Sequence, residues 1–194
     1  MPVMSIMERT FCLGAAWSGI APKAVLPWAL NGFEPTGDVL EIGGGGGSMA
    51  ASLAGTHPSI RLTVTDLDPR MVASMRKRLS DVSNALATEA DATALPFDNA
   101  SFDLVTSHLM LHHVLDWELS ISEASRVLRP GGSFVGYDLT DTRAARVVHK
   151  LERSPYRLIA AEELAAALDR IGFADVSVTP SGRRHLMRFC ATKP

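Results

Sequence analysis

Cysteine is nearly absent: Cys12 and Cys190 are the only two in 194 residues. Two cysteines near opposite ends are no disulfide framework and have no metal-ligand spacing, so no metal site is expected. They read as reduced thiols of a cytoplasmic protein, because disulfides persist in oxidising compartments. A dominant charge is also lacking. Nineteen Lys and Arg against 21 Asp and Glu leave a formal net charge of −2. There is thus no whole-protein field to draw in nucleic acid or a membrane surface. No apolar run approaches the ~20 residues of a membrane span. The first residues, MPVMSIMERTF, have no basic segment followed by an apolar run, so no signal peptide is expected. No RNA module, aromatic stacking motif or zinc spacing appears, and nucleic acid is not an expected partner. What remains is 46% hydrophobic and 21% charged, the composition of a globular chain long enough for one domain with a real core.

From Gly37 onward, short β-rich runs alternate with helical ones. DVLEI (38–42) reads as a strand that five glycines turn into a helix near Ser48. IRLTVTD (60–66) is a second strand, rich in β-branched residues. PRMVASMRKRL follows, with Pro69 at a helix start and Asp68 placed to cap it. NALATEA (84–90), SFDLVTS (101–107) and SFVGYDL (133–139) are further strands, with a helix over 118–128 stopped by RPGG. A long helical stretch follows, then a helix over 160–172 ended by Gly172. The last two strands, 175–179 and 185–192, flank a turn at Ser181-Gly182. So short a connection makes them an antiparallel hairpin.

This alternation predicts an α/β fold: a Rossmann-like three-layer sandwich around a seven-stranded, mostly parallel sheet, closed by an antiparallel C-terminal strand. Such a sheet binds ligands at the carboxyl ends of its strands, where strand order reverses. Residues 1–36 differ. They carry Met4, Met7, Phe11, Trp17 and Trp28 with the breakers Pro22 and Pro27, and read as a helical cap of short helices beside that edge.

Glycines between a strand and a helix let a ligand approach backbone N–H groups at the positive helix end. Two ligand classes fit. GGGSMA (45–50) satisfies the relaxed dinucleotide pattern G-x-G-x-x-A, with Asp66 at about the right distance for a ribose. The second reading uses residues outside the run: Glu41-x-Gly43-x-Gly45-x-Gly47 is an acid followed by three alternating glycines.

That pattern resembles the first motif of the class I S-adenosylmethionine-dependent methyltransferases. Asp66 in VTDLDPRMV, EADATALPF (89–97), FDLVTSHLMLHHV and RVLRPGGSFVGYDL (126–139) match the family's later segments in order. The resemblance covers about residues 36–194 and is nearest to the small-molecule branch that includes quinone-biosynthesis enzymes. It implies a methyltransferase domain over 37–194, S-adenosylmethionine as cofactor and a small-molecule acceptor. It also implies a cofactor site. Gly43, Gly45 and Gly47 would give bare backbone to the ligand, and Glu41 would orient the loop or the cofactor's amino group. Asp66, with Leu67 beside it, would meet the ribose. Asp91 and Ala92 would meet the adenine, and Ser107 would lie at the exit of the fourth strand.

His108, His112 and His113 follow that strand, and His108 and His112, four apart, would share a helix face. His108, nearest the strand end, is the candidate general base, since an imidazole can take a proton at neutral pH. Arg143, Arg146, Lys150, Arg153 and Arg157 recur at helical spacing beside an apolar stripe of Ala144, Val147, Val148 and Leu151. The stripe reads first as a solvated face, and second as a contact for an anionic acceptor. Two rivals stand beside the methyltransferase. An NAD(P)-dependent oxidoreductase would leave DATALPF and RVLRPGG unexplained, and no Tyr-x-x-x-Lys pair is present. A scaffold or regulatory protein that binds the cofactor without turnover is the other.

Overall fold

Strand and helix segments alternate to build one seven-stranded sheet in the order β3-β2-β1-β4-β5-β7-β6. The computed structural model describes residues 14–143, 145–146, 156–182 and 185–194. The strands are β1 (Asp38–Ile42), β2 (Arg61–Asp66), β3 (Ala85–Glu89), β4 (Phe102–His108), β5 (Leu128–Leu139), β6 (Ala174–Pro180) and β7 (Leu186–Thr192). The helices are α1 (Ala15–Leu30), α2 (Ser48–Thr56), α3 (Pro69–Arg78), α4 (Trp117–Val127) and α5 (Ala161–Ile171). Strands β1 to β5 pair in parallel, and β7 runs antiparallel between β5 and β6. Strand order reverses between β1 and β4, which opens a crevice at their carboxyl ends.

The two-residue period of a strand assigns each side chain a face. Val39 of β1 packs with Leu26 of α1, Leu53 of α2 and Met75 of α3. Its neighbours Leu40 and Ile42 pack on the opposite face with Trp117 and Ile121 of α4 and Leu164 and Leu168 of α5. With both faces covered, β1 after its first residue Asp38 is apolar at Val39, Leu40 and Ile42, and its remaining polar member, Glu41, is buried as well. Asp68 caps α3 as expected: its carboxylate accepts the N–H of Arg70 at 2.9 Å. Gly172 ends α5 at φ +102°, with its N–H shared between Leu168 and Asp169 carbonyls.

Three expectations need correction. Pro22 and Pro27 do not break the N-terminal segment into short helices; α1 runs through both. Each proline forfeits a backbone bond, but Leu26, Ala29 and Leu30 are buried along the same helix, and that tertiary burial holds it together. Strand β5 begins at Leu128 rather than after the glycines. Leu128 pairs with Phe102, the next pair is Ser133 with Leu104, and RPGG forms a bulge between them. Strand β4 extends to include His108. Residues 1–13, Ala144, 147–155 and 183–184 lie outside the described residues, and with them Met4, Met7, Phe11, Lys150, Arg153 and the apolar stripe of Ala144, Val147, Val148 and Leu151.

Among the described residues no helix is long and apolar enough to cross a membrane. The centre of the α4–α5 face is aromatic: the Phe134 ring lies 4.9 Å from that of Phe189 and 6.1 Å from that of Phe173. Phe134 is fully buried. Phe134→Ala is expected to cost about 3–5 kcal/mol, read as a lower denaturation midpoint at unchanged m-value.

Candidate active site

The glycine run adopts an alternating backbone. Gly43, Gly45 and Gly47 have φ of +68°, +54° and +76°, in the left-handed region that excludes most side chains. This alternation distinguishes the Glu41-x-Gly-x-Gly-x-Gly register from others that fit a run of five glycines. The loop is pinned from three sides. Gly44 donates its N–H to the Thr65 carbonyl at 2.8 Å. Gly45 donates to Asp66 Oδ2 at 2.9 Å. Arg78 of α3 donates to the Gly46 carbonyl at 2.7 Å.

Gly43 and Gly45 are needed for different reasons. A Cβ on Gly43 would be strained by its left-handed backbone and would lie 2.0 Å from Met110 Cγ, inside the protein's own packing. A Cβ on Gly45 would meet nothing within 4 Å. That position faces open space, as a backbone presented to a ligand must.

Asp66 ends β2 and ties two turns together. Its Oδ2 accepts from Gly45, and its Oδ1 accepts the N–H of Asp68 at 2.9 Å. Burial pushes its carboxyl above the ordinary value, and the N–H donors of Asp68 and Gly45 only partly offset that. Leu67 follows it, half-buried. After β3, Asp91 accepts from the N–H and hydroxyl of Thr93 at 2.8 and 2.7 Å. Burial pushes Asp91 up, but these Thr93 donors outweigh it and hold the group below its ordinary value. Ala92, next to it, is buried.

At the end of β4, Ser107 is fully buried, and its hydroxyl has no partner among the described residues. His108 is the strand's last residue. Its Nδ1 lies 3.3 Å from Glu41 Oε1, and its ring packs 5.4 Å from that of Tyr137. His108 Nε2 and Glu41 Oε2 are both buried without a partner among the described residues. The chain then turns: Leu109 takes φ +53°, and Leu111–His113 form one 3-10 turn. His108 and His112 therefore do not share a helix face. His112 Nδ1 instead pairs with Asp138 Oδ1, and its ring lies 4.0 Å from that of His113.

The carboxyl edge thus brings Glu41, the three glycines, Asp66, Leu67, Asp91, Ala92, Ser107 and His108 to the ends of four adjacent strands. Sequence reasoning missed Asp138. The available signal was an acid one residue before the end of the fifth strand, at the edge where ligands bind. A cavity of about 270 Å³ between the end of α1 and β6–β7, bordered by Phe33, Arg188 and Cys190, contains none of these residues. Gly43→Ala is expected to destabilise the fold by about 2–4 kcal/mol, through the left-handed backbone and the Met110 clash together. Chemical denaturation of the variant reads it directly.

A family model described as a methyltransferase domain matches residues 40–136. Over 161 residues the chain is 32% identical to the malonyl-[acyl-carrier protein] O-methyltransferase of Geobacter sulfurreducens, covering 76% of this chain and 59% of that protein. Over 122 residues it is 32% identical to a ubiquinone/menaquinone biosynthesis C-methyltransferase UbiE of Saccharophagus degradans, covering 61% of this chain and 49% of that one. The chain therefore spans 59% and 49% of these two relatives' lengths. In fold it is similar to a chain from the complex between the Haloferax volcanii Trm112 methyltransferase activator and a methyltransferase. The TM-score is 0.80 at 18% identity, with 99% of each chain covered. The family match spans the glycine loop, the ends of β2 and β3 and the β4 exit, so the oxidoreductase alternative falls away and the chain belongs to the class I S-adenosylmethionine-dependent methyltransferases.

Proposed function

We propose that the chain transfers the methyl group of S-adenosylmethionine to a small organic acceptor. One observation carries this reading: an open-sided loop of left-handed glycines, an acid ending the next strand and unpaired buried polar atoms converge on one sheet edge. When bound, the cofactor supplies a methyl group already activated on a sulfonium sulfur. Gly43, Gly45 and Gly47 with Glu41 border its amino-acid end. Asp66 has lone pairs beyond the two that Gly45 and Asp68 engage, and these suit the ribose hydroxyls. Leu67 lies beside them. Asp91 and Ala92 suit the adenine, and Ser107 the region of the methyl group. The protein's work in such a displacement is mostly alignment and exclusion of water. His108 accepts a proton where the acceptor must lose one.

The malonyl-[acyl-carrier protein] and quinone-biosynthesis methyltransferases named above support a small acceptor. An anionic one would draw on the basic stripe. Of its described members, Arg146 is tied to Asp141 at 2.6 Å and Arg157 to Glu163 at 2.7 Å, with Arg157 also over the Trp117 ring. Those pairs weaken the field the stripe can exert, and Lys150 and Arg153 lie outside the described residues.

Calorimetric titration with S-adenosylhomocysteine tests the cofactor site. Wild type should bind it, and Asp66→Ala should weaken binding by roughly 1.5–3 kcal/mol through loss of a charged acceptor. Absence of binding to wild type would sink the methyltransferase reading; equal affinity in the variant would remove Asp66 from the site. His108→Gln should lower kcat by about 10²–10⁴ while cofactor affinity holds, and turnover near the wild-type rate would leave alignment alone as the mechanism. Changing Arg143, Arg146 and Lys150 together to Gln should raise the acceptor's KM and flatten its salt dependence. An unmoved KM at low salt assigns the stripe to a solvated face.

A further inference from the structure

We infer that Glu41 is a positioning residue that acts through His108: its carboxylate accepts a hydrogen bond from the imidazole Nδ1–H and leaves Nε2 bare to receive the acceptor's proton. This rests on the methyltransferase reading above and extends it to the acceptor, whose nucleophilic atom must then carry a proton.

The topology builds the pair. Glu41 lies opposite Thr106 in the β1–β4 register, and His108, two residues on from Thr106, points to the same face at the carboxyl edge. Both side chains are almost fully buried, and the only bond between them is Glu41 Oε1 to His108 Nδ1. The ring is fixed from the other side. Tyr137 packs on it, and Trp28 of α1 meets Tyr137 edge-on at 6.1 Å. A buried carboxylate is costly unless it is paired, and the one side-chain partner of the Glu41 carboxylate among the described residues is His108.

One simpler duty for Glu41, holding the glycine loop, does not match the contacts. The glycine loop is held by Asp66, the Thr65 carbonyl and Arg78, and none of its described N–H groups bonds to Glu41. Like the second carboxylate–imidazole pair, Asp138 with His112, Glu41 with His108 also joins segments distant in the chain, but the second pair has further bonds around it. There Asp138 Oδ1 also accepts the Leu139 N–H at 2.6 Å, while the His112 carbonyl accepts the Arg157 N–H at 2.8 Å. Glu41 Oε2, His108 Nε2 and Asp138 Oδ2 are all buried without a partner among the described residues, and of the two imidazoles only that of His108 has a ring nitrogen in this state. Buried polar atoms left without partners need a reason, and a ligand at this edge supplies one.

A neutral imidazole has one donor and one acceptor nitrogen, and the bond made by one decides the role of the other. With Nδ1–H donated to Glu41, Nε2 is the acceptor. His108 takes the proton from the acceptor atom as that atom forms its bond to the methyl carbon. The bond from that carbon to sulfur breaks, and its electron pair stays on sulfur. The imidazolium so formed is stabilised by the Glu41 charge beside it. Hydroxyls, phenols and acidic carbon centres fit this step; thioethers, which bear no proton, do not.

The test is nitrogen NMR of protein with isotope-labelled histidine, with S-adenosylhomocysteine as the probe ligand. Long-range proton–nitrogen correlations report which ring nitrogen holds the proton, and His108→Gln assigns the signals. Wild type should show the Nδ1–H form of His108. Glu41→Met, which keeps the volume but offers no oxygen, should lose that pattern; Glu41→Gln, which keeps an oxygen acceptor, should retain it. An Nε2–H form in wild type, or an unchanged Nδ1–H form in Glu41→Met, would overturn the inference. Should Glu41→Met not fold, the wild-type spectrum decides alone. If wild type fails to bind S-adenosylhomocysteine by calorimetry, the methyltransferase reading fails first; binding together with the wrong tautomer refutes only the role of Glu41.

Discussion

The site depends on one hydrogen bond, from the N–H of Gly45 to the carboxylate of Asp66. It joins the loop leaving β1 to the end of β2 across the crevice edge. The loop can reach that carboxylate only because alternate residues take positive φ, and it can take positive φ at that pitch only because they are glycines. The same bond puts Asp66 in a half-buried place where burial raises its carboxyl. A raised carboxyl means the native state holds the proton more tightly than the unfolded chain. The stability it contributes is full below the ordinary value of 3.8 and is lost as pH rises through the folded value. At neutral pH an ionised Asp66 is thus a strained element of the free protein, and hydroxyl donors from a ligand would relieve it.

A second constraint is the parity of the strands. A sheet covered on both faces needs apolar residues along its middle, and Val39 and Leu40 of β1, Leu104 and Val105 of β4 and Phe134 and Val135 of β5 meet that demand. At the carboxyl ends the polar residues Glu41, Ser107, His108 and Asp138 enter the buried layer together. Two of them are acids, and each acid meets an imidazole. One pair, Asp138 with His112, shares its groups with backbone N–H donors and carbonyls and so joins β5 to the 3-10 turn and to the segment at Arg157. The other, Glu41 with His108, leaves Glu41 Oε2 and His108 Nε2 without partners among the described residues, as the first pair leaves Asp138 Oδ2.

The N-terminal helix shows how a sheet edge gains depth. Helix α1 adds Leu26, Ala29 and Leu30 to the core on the α2–α3 face, and its Trp28 reaches Tyr137, the residue that backs His108. Arg188 of β7 lies over the same indole and donates to the Trp28 carbonyl. The end of α1 is thereby locked to β5 and β7, and the imidazole side of the edge is closed on the face away from α4.

Much of this was legible in the chain itself. Alternating β-rich and helical runs determined the order of elements, and the short final connection made the last pair antiparallel, because these depend on local periodicity and on loop length. Asp68 before Pro69 announced a cap, and Gly172 a helix end, since both act within one turn. The acid-and-glycine pattern announced the left-handed loop after β1, because left-handed backbone needs glycine whatever surrounds it. Tertiary structure alone decided the rest. Helix α1 passes through two prolines because burial elsewhere along it outweighs the bonds they forfeit. Gly43 is required by Met110, more than 60 residues away in the chain. Glu41 meets His108, and His112 meets Asp138, across strands whose register no local pattern encodes. Partnership between buried polar groups is set by which strand ends the sheet brings side by side, and a linear spacing carries no record of that.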